Sequence, residues 1–265
     1  MLIDRERAAA AFRAYVAAYD PDDPKIALKV DHTWRVAELC ERIARSACED
    51  GASPIAPEDV DLAWLLGLLH DVGRFEQVRQ YGTFDDAASV GHAALGAQVL
   101  FDGYAGAPPT IRDYLADGSE DPLVRTAVAL HSSWRLPDHL DARTRSLCEV
   151  LRDADKVDIL KVNCICPVED IYGIPEGELL ASGLSSEAVS WFERRSTMPR
   201  TARHTPADVL LSHVCFVWEL VFPESRRIAL EQGHALAMME RPWARDDTRE
   251  AFARMRGELG DFLGR

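Results

Sequence analysis

One stretch, Leu62–Arg74 (LAWLLGLLHDVGR), constrains the chain more than any other. Leu62, Leu65, Leu66 and Leu69 recur at steps of three and four, the spacing of a buried helix face. The run ends on His70 and Asp71, and Gly73 marks the expected helix end. A carboxylate that follows so apolar a helix has to be solvated, paired or coordinated, because burying it bare is prohibitive. The His70–Asp71 pair is therefore a candidate metal site, and the remaining ligands have to come from elsewhere in the chain.

The flanking sequence reads as helix nearly throughout. Amphipathic helices are predicted over about residues 4–19 and 26–48, with His32 one turn before Val36 on the apolar face of the second. After the His–Asp helix, Phe75–Asp86 contains Tyr81–Asp86, which reads as a turn or loop and a candidate mouth or lid. A helix over about 86–101 carries His92 in phase with Leu95 and Val99. Another, opened by Pro122, carries His131, and one from about 141 to 159 carries Asp155 four residues after Leu151. Residues 164–199 read as mostly irregular, with a short helix near 186–194 and weak strand character over Ile165–Ile171. Helices over about 206–221, 224–240 and 246–263 complete the chain. The expected organisation is one all-helical domain over 1–265, with a metal-binding core over about 26–162 and a C-terminal helical extension over about 165–265.

Taken singly, each polar residue on these faces has an ordinary explanation. A buried histidine can be a hydrogen-bonded core residue, and Asp155 can pair with Arg152 or Lys156. Taken together, His32, His70, Asp71, His92, His131 and Asp155 put a His or Asp on the buried side of five successive helices, and bundle helices converge on a shared core. Four imidazoles and two carboxylates without a thiolate suit Fe, Mn, Co, Ni or Zn. Six ligands would saturate one ion, whereas catalysis needs open positions, so two divalent ions are expected. His32, His70 and Asp155 are assigned to one ion and His92 and His131 to the other, with Asp71 bridging. His139, His204, His213 and His234 read as structural or exposed, and Cys164–Ile165–Cys166 is a weak metal hint.

Charge and composition narrow the partners. A net charge of −14 disfavours nucleic acid and anionic membranes. Charges interrupt every apolar stretch before it reaches spanning length. The N-terminal segment reads as an amphipathic helix and the six cysteines contain no CxxC pair, which points to a cytoplasmic location with reduced thiols.

The ordered set of His32, His70-Asp71 and Asp155 resembles the HD-domain superfamily of metal-dependent phosphohydrolases. DHTWRVAELCERIA resembles that family's first histidine helix, LLGLLHDVGRFEQ its His–Asp helix, and VLRDADKVDILKV the helix with its closing Asp. VGHAALGAQVLF and VALHSS resemble the segments that bear the extra histidines of two-metal members. The resemblance covers about residues 26–162 and implies an all-α fold. It also implies hydrolysis of a phosphate ester on a nucleotide or another small phosphorylated metabolite. His70 and Asp71 would be central to catalysis, Arg74 would bind phosphate one turn after the dyad, and Arg79 would be a weaker candidate for that role. Lys156 would pair with its neighbouring Asp or with substrate. No GYP motif follows, which argues against the cyclic-dinucleotide branch that carries it. Other readings left open are a di-iron oxygenase on the same fold and a non-catalytic, metal-dependent ligand-binding module.

Overall fold

Helix α1 (Arg5–Val16) starts where the Asp4 side chain accepts the Arg7 N–H, and it buries Ala8 and Phe12. The structure is a computed structural model that describes residues 3–51 and 53–264. The chain divides into two compact units, Met1–Ala154 and Asp155–Arg265. The division falls earlier than the core–extension boundary expected from the sequence.

In the first unit, α2 (Pro24–Asp50) has Pro24 in its first turn and Asp23 capping the Lys25 N–H. It ends at Gly51, which lies in the left-handed region. α3 (Asp59–Leu69) is apolar almost all round and buried from Leu62 to Leu69. It lies directly on α2. A Cβ at Gly67 would come within 2.6 Å of the Ala37 Cα, so only glycine permits this approach.

The helix does not run on to Gly73, as the sequence led one to expect. It stops at Leu69. Asp71 leaves helical geometry (φ −107°, ψ 16°), and a new helix, α4 (Val72–Tyr81), begins at once. The segment from Phe75 to Tyr81 is therefore helical, and the irregular stretch starts at Gly82. Gly73 serves a close approach between helices: a Cβ there would lie 2.3 Å from the His92 carbonyl oxygen.

α5 (His92–Phe101) begins later than predicted. Residues 85–89 instead satisfy themselves locally: the Ala87 N–H donates to Asp85 and the Ser89 hydroxyl to the Asp85 carbonyl, bonds that compete with helix formation. α6 (Ile111–Tyr114) and α7 (Asp121–Leu130) follow, the latter with Pro122 in its first turn. α8 (Ala142–Ile165) gives this unit its residues up to Ala154, with Leu147, Val150 and Leu151 fully buried.

The second unit contains the rest of α8, then α9 (Val168–Tyr172), α10 (Glu176–Ala181), α11 (Ser186–Glu193), α12 (Pro206–Val214), α13 (Pro223–Gln232), α14 (His234–Met239) and α15 (Asp246–Leu263). The weak strand character at Ile165–Ile171 resolves into the end of α8 and the start of α9. Two predicted helices are broken: one tightens into a 3₁₀ turn at Cys215–Glu219, and the other reverses at the left-handed Gly233. Thr205 and Asp208 form a reciprocal cap on α12, and Asp208 also accepts the Ser185 N–H. Leu210, Leu211, Ile228, Phe252 and Leu259 are fully buried. Among the described residues the fold is all-helical, and no helix is long and apolar enough to cross a membrane.

Candidate metal centre

Four of the five predicted ligands in the first unit stand at helix ends. His70 caps the C-terminus of α3 and Asp71 the N-terminus of α4. His92 opens α5, and His131 caps the C-terminus of α7. His32 lies within α2 and is brought to the dyad by the close approach of Gly67 to Ala37. All five are buried.

Their ligand atoms form two groups that share Asp71: His32, His70 and Asp71, and Asp71, His92 and His131, the atoms of each group lying within 4.8 Å of one another. On one side of the carboxylate, Oδ2 is 3.6 Å from His32 Nε2 and 3.4 Å from His70 Nε2. On the other, Oδ1 is 3.6 Å from His92 Nε2 and 3.7 Å from His131 Nε2. The imidazoles divide two and two between the oxygens, which is the arrangement expected of a bridging carboxylate.

Hydrogen bonding at the far ring nitrogens fixes three of the tautomers. His70 Nδ1–H donates to the Gly67 carbonyl and His131 Nδ1–H to the Val128 carbonyl, each at 2.7 Å. A carbonyl only accepts, so the proton is on Nδ1 and the Nε2 lone pair faces Asp71. His92 Nδ1–H donates to Asp86 Oδ2 at 2.7 Å. Burial lowers the pKa of His92 to about 4, despite the opposing pull of Asp86, so the ring is neutral near pH 7. With both rings in the neutral Nδ1–H form, His92 Nε2 and His131 Nε2 are 3.0 Å apart with a lone pair on each.

Two bare lone pairs at that distance repel, and a cation relieves the repulsion. Nitrogens about 2.0–2.1 Å from one ion at near-cis or tetrahedral angles are themselves about 2.8–3.4 Å apart. The separations of 3.0 Å and of 3.3 Å between His70 and His32 Nε2 match such edges. The donor set thus fits divalent metal on both sides of Asp71.

Charge in the site is arranged around Asp71. Burial opposes its ionisation, but the Lys29 ammonium outweighs it and holds the carboxyl well below its ordinary range. Lys29 Nζ lies 2.6 Å from Asp71 Oδ2. Lys29 was not predicted, although it precedes His32 by three residues and shares its helix face. Asp86 and Gln77 were missed as well. Gln77 donates to Asp86 Oδ1 at 2.9 Å, and Arg74 Nη1 donates to the same oxygen at 2.9 Å and to the Phe84 carbonyl at 2.6 Å. Burial opposes ionisation of Asp86, yet His92 and Arg74 hold it far down in the acid range.

Arg74 is therefore not a surface residue. It is mostly buried, its guanidinium lies over the Phe84 ring, and its Nε is 3.7 Å from Asp71 Oδ1. Arg79 is engaged by Glu76 and lies over Tyr19. Lys156 reaches Glu219 at 3.5 Å. Asp155 is half-buried on α8 as the first residue of the second unit.

A family model described as the HD domain matches residues 30–160. No curated protein and no solved structure matches the chain.

Proposed function

We propose that this chain, whose residues 30–160 belong to the HD-domain family, is a metal-dependent phosphohydrolase acting on a small phosphorylated metabolite or nucleotide. One observation carries the reading. Four imidazole nitrogens face Asp71, two to each carboxylate oxygen, with the ring protons of three held on the far side. His32 and His70 would hold one divalent ion, His92 and His131 the other, and Asp71 both. Two such ions acidify a bound water and neutralise phosphoryl oxygens.

The side chains prepare the site in three ways. The Gly67 and Val128 carbonyls and Asp86 keep the imidazoles in the ligating tautomer. Lys29 balances the Asp71 charge, and its ammonium supplies cationic charge beside the site. Arg74, clamped between Asp86 and Phe84, places a guanidinium next to Asp71, where a phosphate oxygen can meet it. These local cations let an anion approach a protein whose net charge is −14.

The test is metal analysis of protein purified without chelator, followed by a phosphate-release screen over mono- and dinucleotides and sugar phosphates with several divalent ions. Phosphate release that requires metal and is absent in Asp71→Ala is the expected result. Oxygen uptake by an iron-loaded protein that releases no phosphate would replace this reading with an oxygenase. Tight ligand binding without turnover under any metal would replace it with a binding module.

A further inference from the structure

The second unit contains two arginines with too few partners. Arg203 Nε is buried without a hydrogen-bond partner, and its Nη2 reaches only the Met198 carbonyl, at 3.2 Å. No carboxylate pairs with Arg203 among the described residues. Arg241 Nε is likewise buried and unpartnered. Its Nη2 donates to the Asn163 carbonyl at 2.9 Å, and the exposed Glu176 approaches its Nη1 at 3.4 Å.

Both arginines lie near one aromatic pair. The Tyr172 hydroxyl donates to Asn163 Oδ1, which ties it to the residue that Arg241 grips. The same hydroxyl is 3.5 Å from His213 Nδ1, and the two ring centroids are 6.1 Å apart. Arg203 and Arg241 both lie near enough for their charge to act on Tyr172, as Arg203 and Arg200 act on His213. Burial lowers the pKa of Arg203, and the like charge of Arg200 lowers it further. Burial, together with Arg203 and Arg200, brings His213 down to about 3.

A shortage of acids does not explain this, because the chain has 44 Asp and Glu against 30 Lys and Arg. Leaving the Arg203 cation without a carboxylate costs stability, and an anion removes the cost. We infer that Arg200, Arg203 and Arg241 form an oxyanion site in the second unit that takes the phosphate group of a small ligand. Phosphate fits better than carboxylate, since guanidinium forks from three separate places offer more donors than two oxygens can accept. Arg200 is exposed and gives the site its open edge.

The test uses the full chain stripped of metal by chelator, so that no metal ion at the His–Asp centre contributes anion affinity. Inorganic phosphate is titrated by calorimetry and by melting temperature, against chloride at matched ionic strength. A saturable response that raises the melting temperature is expected. Arg203→Gln should weaken it on the order of tenfold or more, in line with removal of a charge-assisted hydrogen bond. Arg200→Gln, on the surface, should weaken it severalfold, and Asp71→Ala should leave it intact. Where Arg203→Gln fails to fold, Arg203→Lys keeps the charge without the fork and should still bind more weakly. No saturable response, a response that both Arg200→Gln and Arg203→Lys keep in full, or one lost in Asp71→Ala overturns the inference.

Discussion

Replacing Asp86 by Asn tests the logic of the metal centre without touching a ligand. The substitution preserves shape and an acceptor oxygen but removes the charge that holds His92 Nδ1–H at 2.7 Å. Arg74 and Gln77 also lose the carboxylate oxygen on which they converge. A hydrogen bond to a charged group contributes about 1.5–3 kcal/mol. Asp86 is a quarter exposed in its side chain and its pair is partly screened, so the lower half of that range applies. Independently, loss of an outer-shell partner of a metal-bound histidine costs about 10–100-fold in affinity. That corresponds to about 1.4–2.8 kcal/mol, in agreement with the first figure. The assay is competitive titration of Zn or Mn against a chromophoric chelator, fitted to two sites. The His92–His131 site should weaken by about tenfold or somewhat more, and the His32–His70 site by much less. The remote, exposed Asp102→Asn serves as control. Equal losses at both sites, or none at either, would refute the division of ligands across Asp71.

Arg74→Ala should lower turnover on the order of tenfold, the effect of removing a single charge-assisted hydrogen bond to substrate. It should also weaken the His92–His131 ion slightly, because Arg74 braces Asp86; unchanged kinetics with full metal loading would assign Arg74 to packing alone. Gly67→Ala should destabilise the protein by about 1–3 kcal/mol through overpacking, lowering the melting temperature by roughly 2–4 °C per kcal/mol. A melting temperature equal to that of the parent would show that α2 and α3 can separate at no cost. His213 binds its proton less readily folded than unfolded, so its contribution is complete above about pH 6.5 and declines as the pH falls towards about 3. In the metal-free protein, His213→Gln should flatten the acid-side loss of stability by up to about 1.4 kcal/mol per pH unit. Parallel denaturant curves for parent and variant between pH 7 and 5 would contradict this.

The sequence revealed the helical class because apolar spacing is strong in α2, α3, α7 and α8. It revealed His32, His70, Asp71, His92 and His131 because each is a polar residue on, or at the end of, an apolar stripe. Lys29 escaped because a lysine near a helix start looks like solvated surface, and its role depends on Asp71 of another helix. Asp86 escaped because it lies in a loop, where no periodicity assigns a direction. Gly73 was misread because the sequence does not distinguish a glycine that ends a helix from one that admits a neighbouring backbone. The same ambiguity concealed α4, since a break at Asp71 without any intervening loop leaves no turn signature. Arg203, Arg241 and His213 carried no signal at all: each is an ordinary residue in its own segment, and only the fold brings them together.

Placing the ligands at helix ends affects how the sequence can drift. Residues 102–110 and 132–141 can gain or lose length without rotating His92 or His131, because each loop only leads away from or towards a helix, whereas a length change in 82–91 would move Asp86 off His92. One residue inserted between Gly67 and His70 would turn the dyad about 100° around the axis of α3. Keeping the dyad in place would instead slide the Gly67 notch off Ala37. Tolerance to length change should therefore divide sharply, with permissive loops at 102–110 and 132–141 and an intolerant short span from Gly67 to His70.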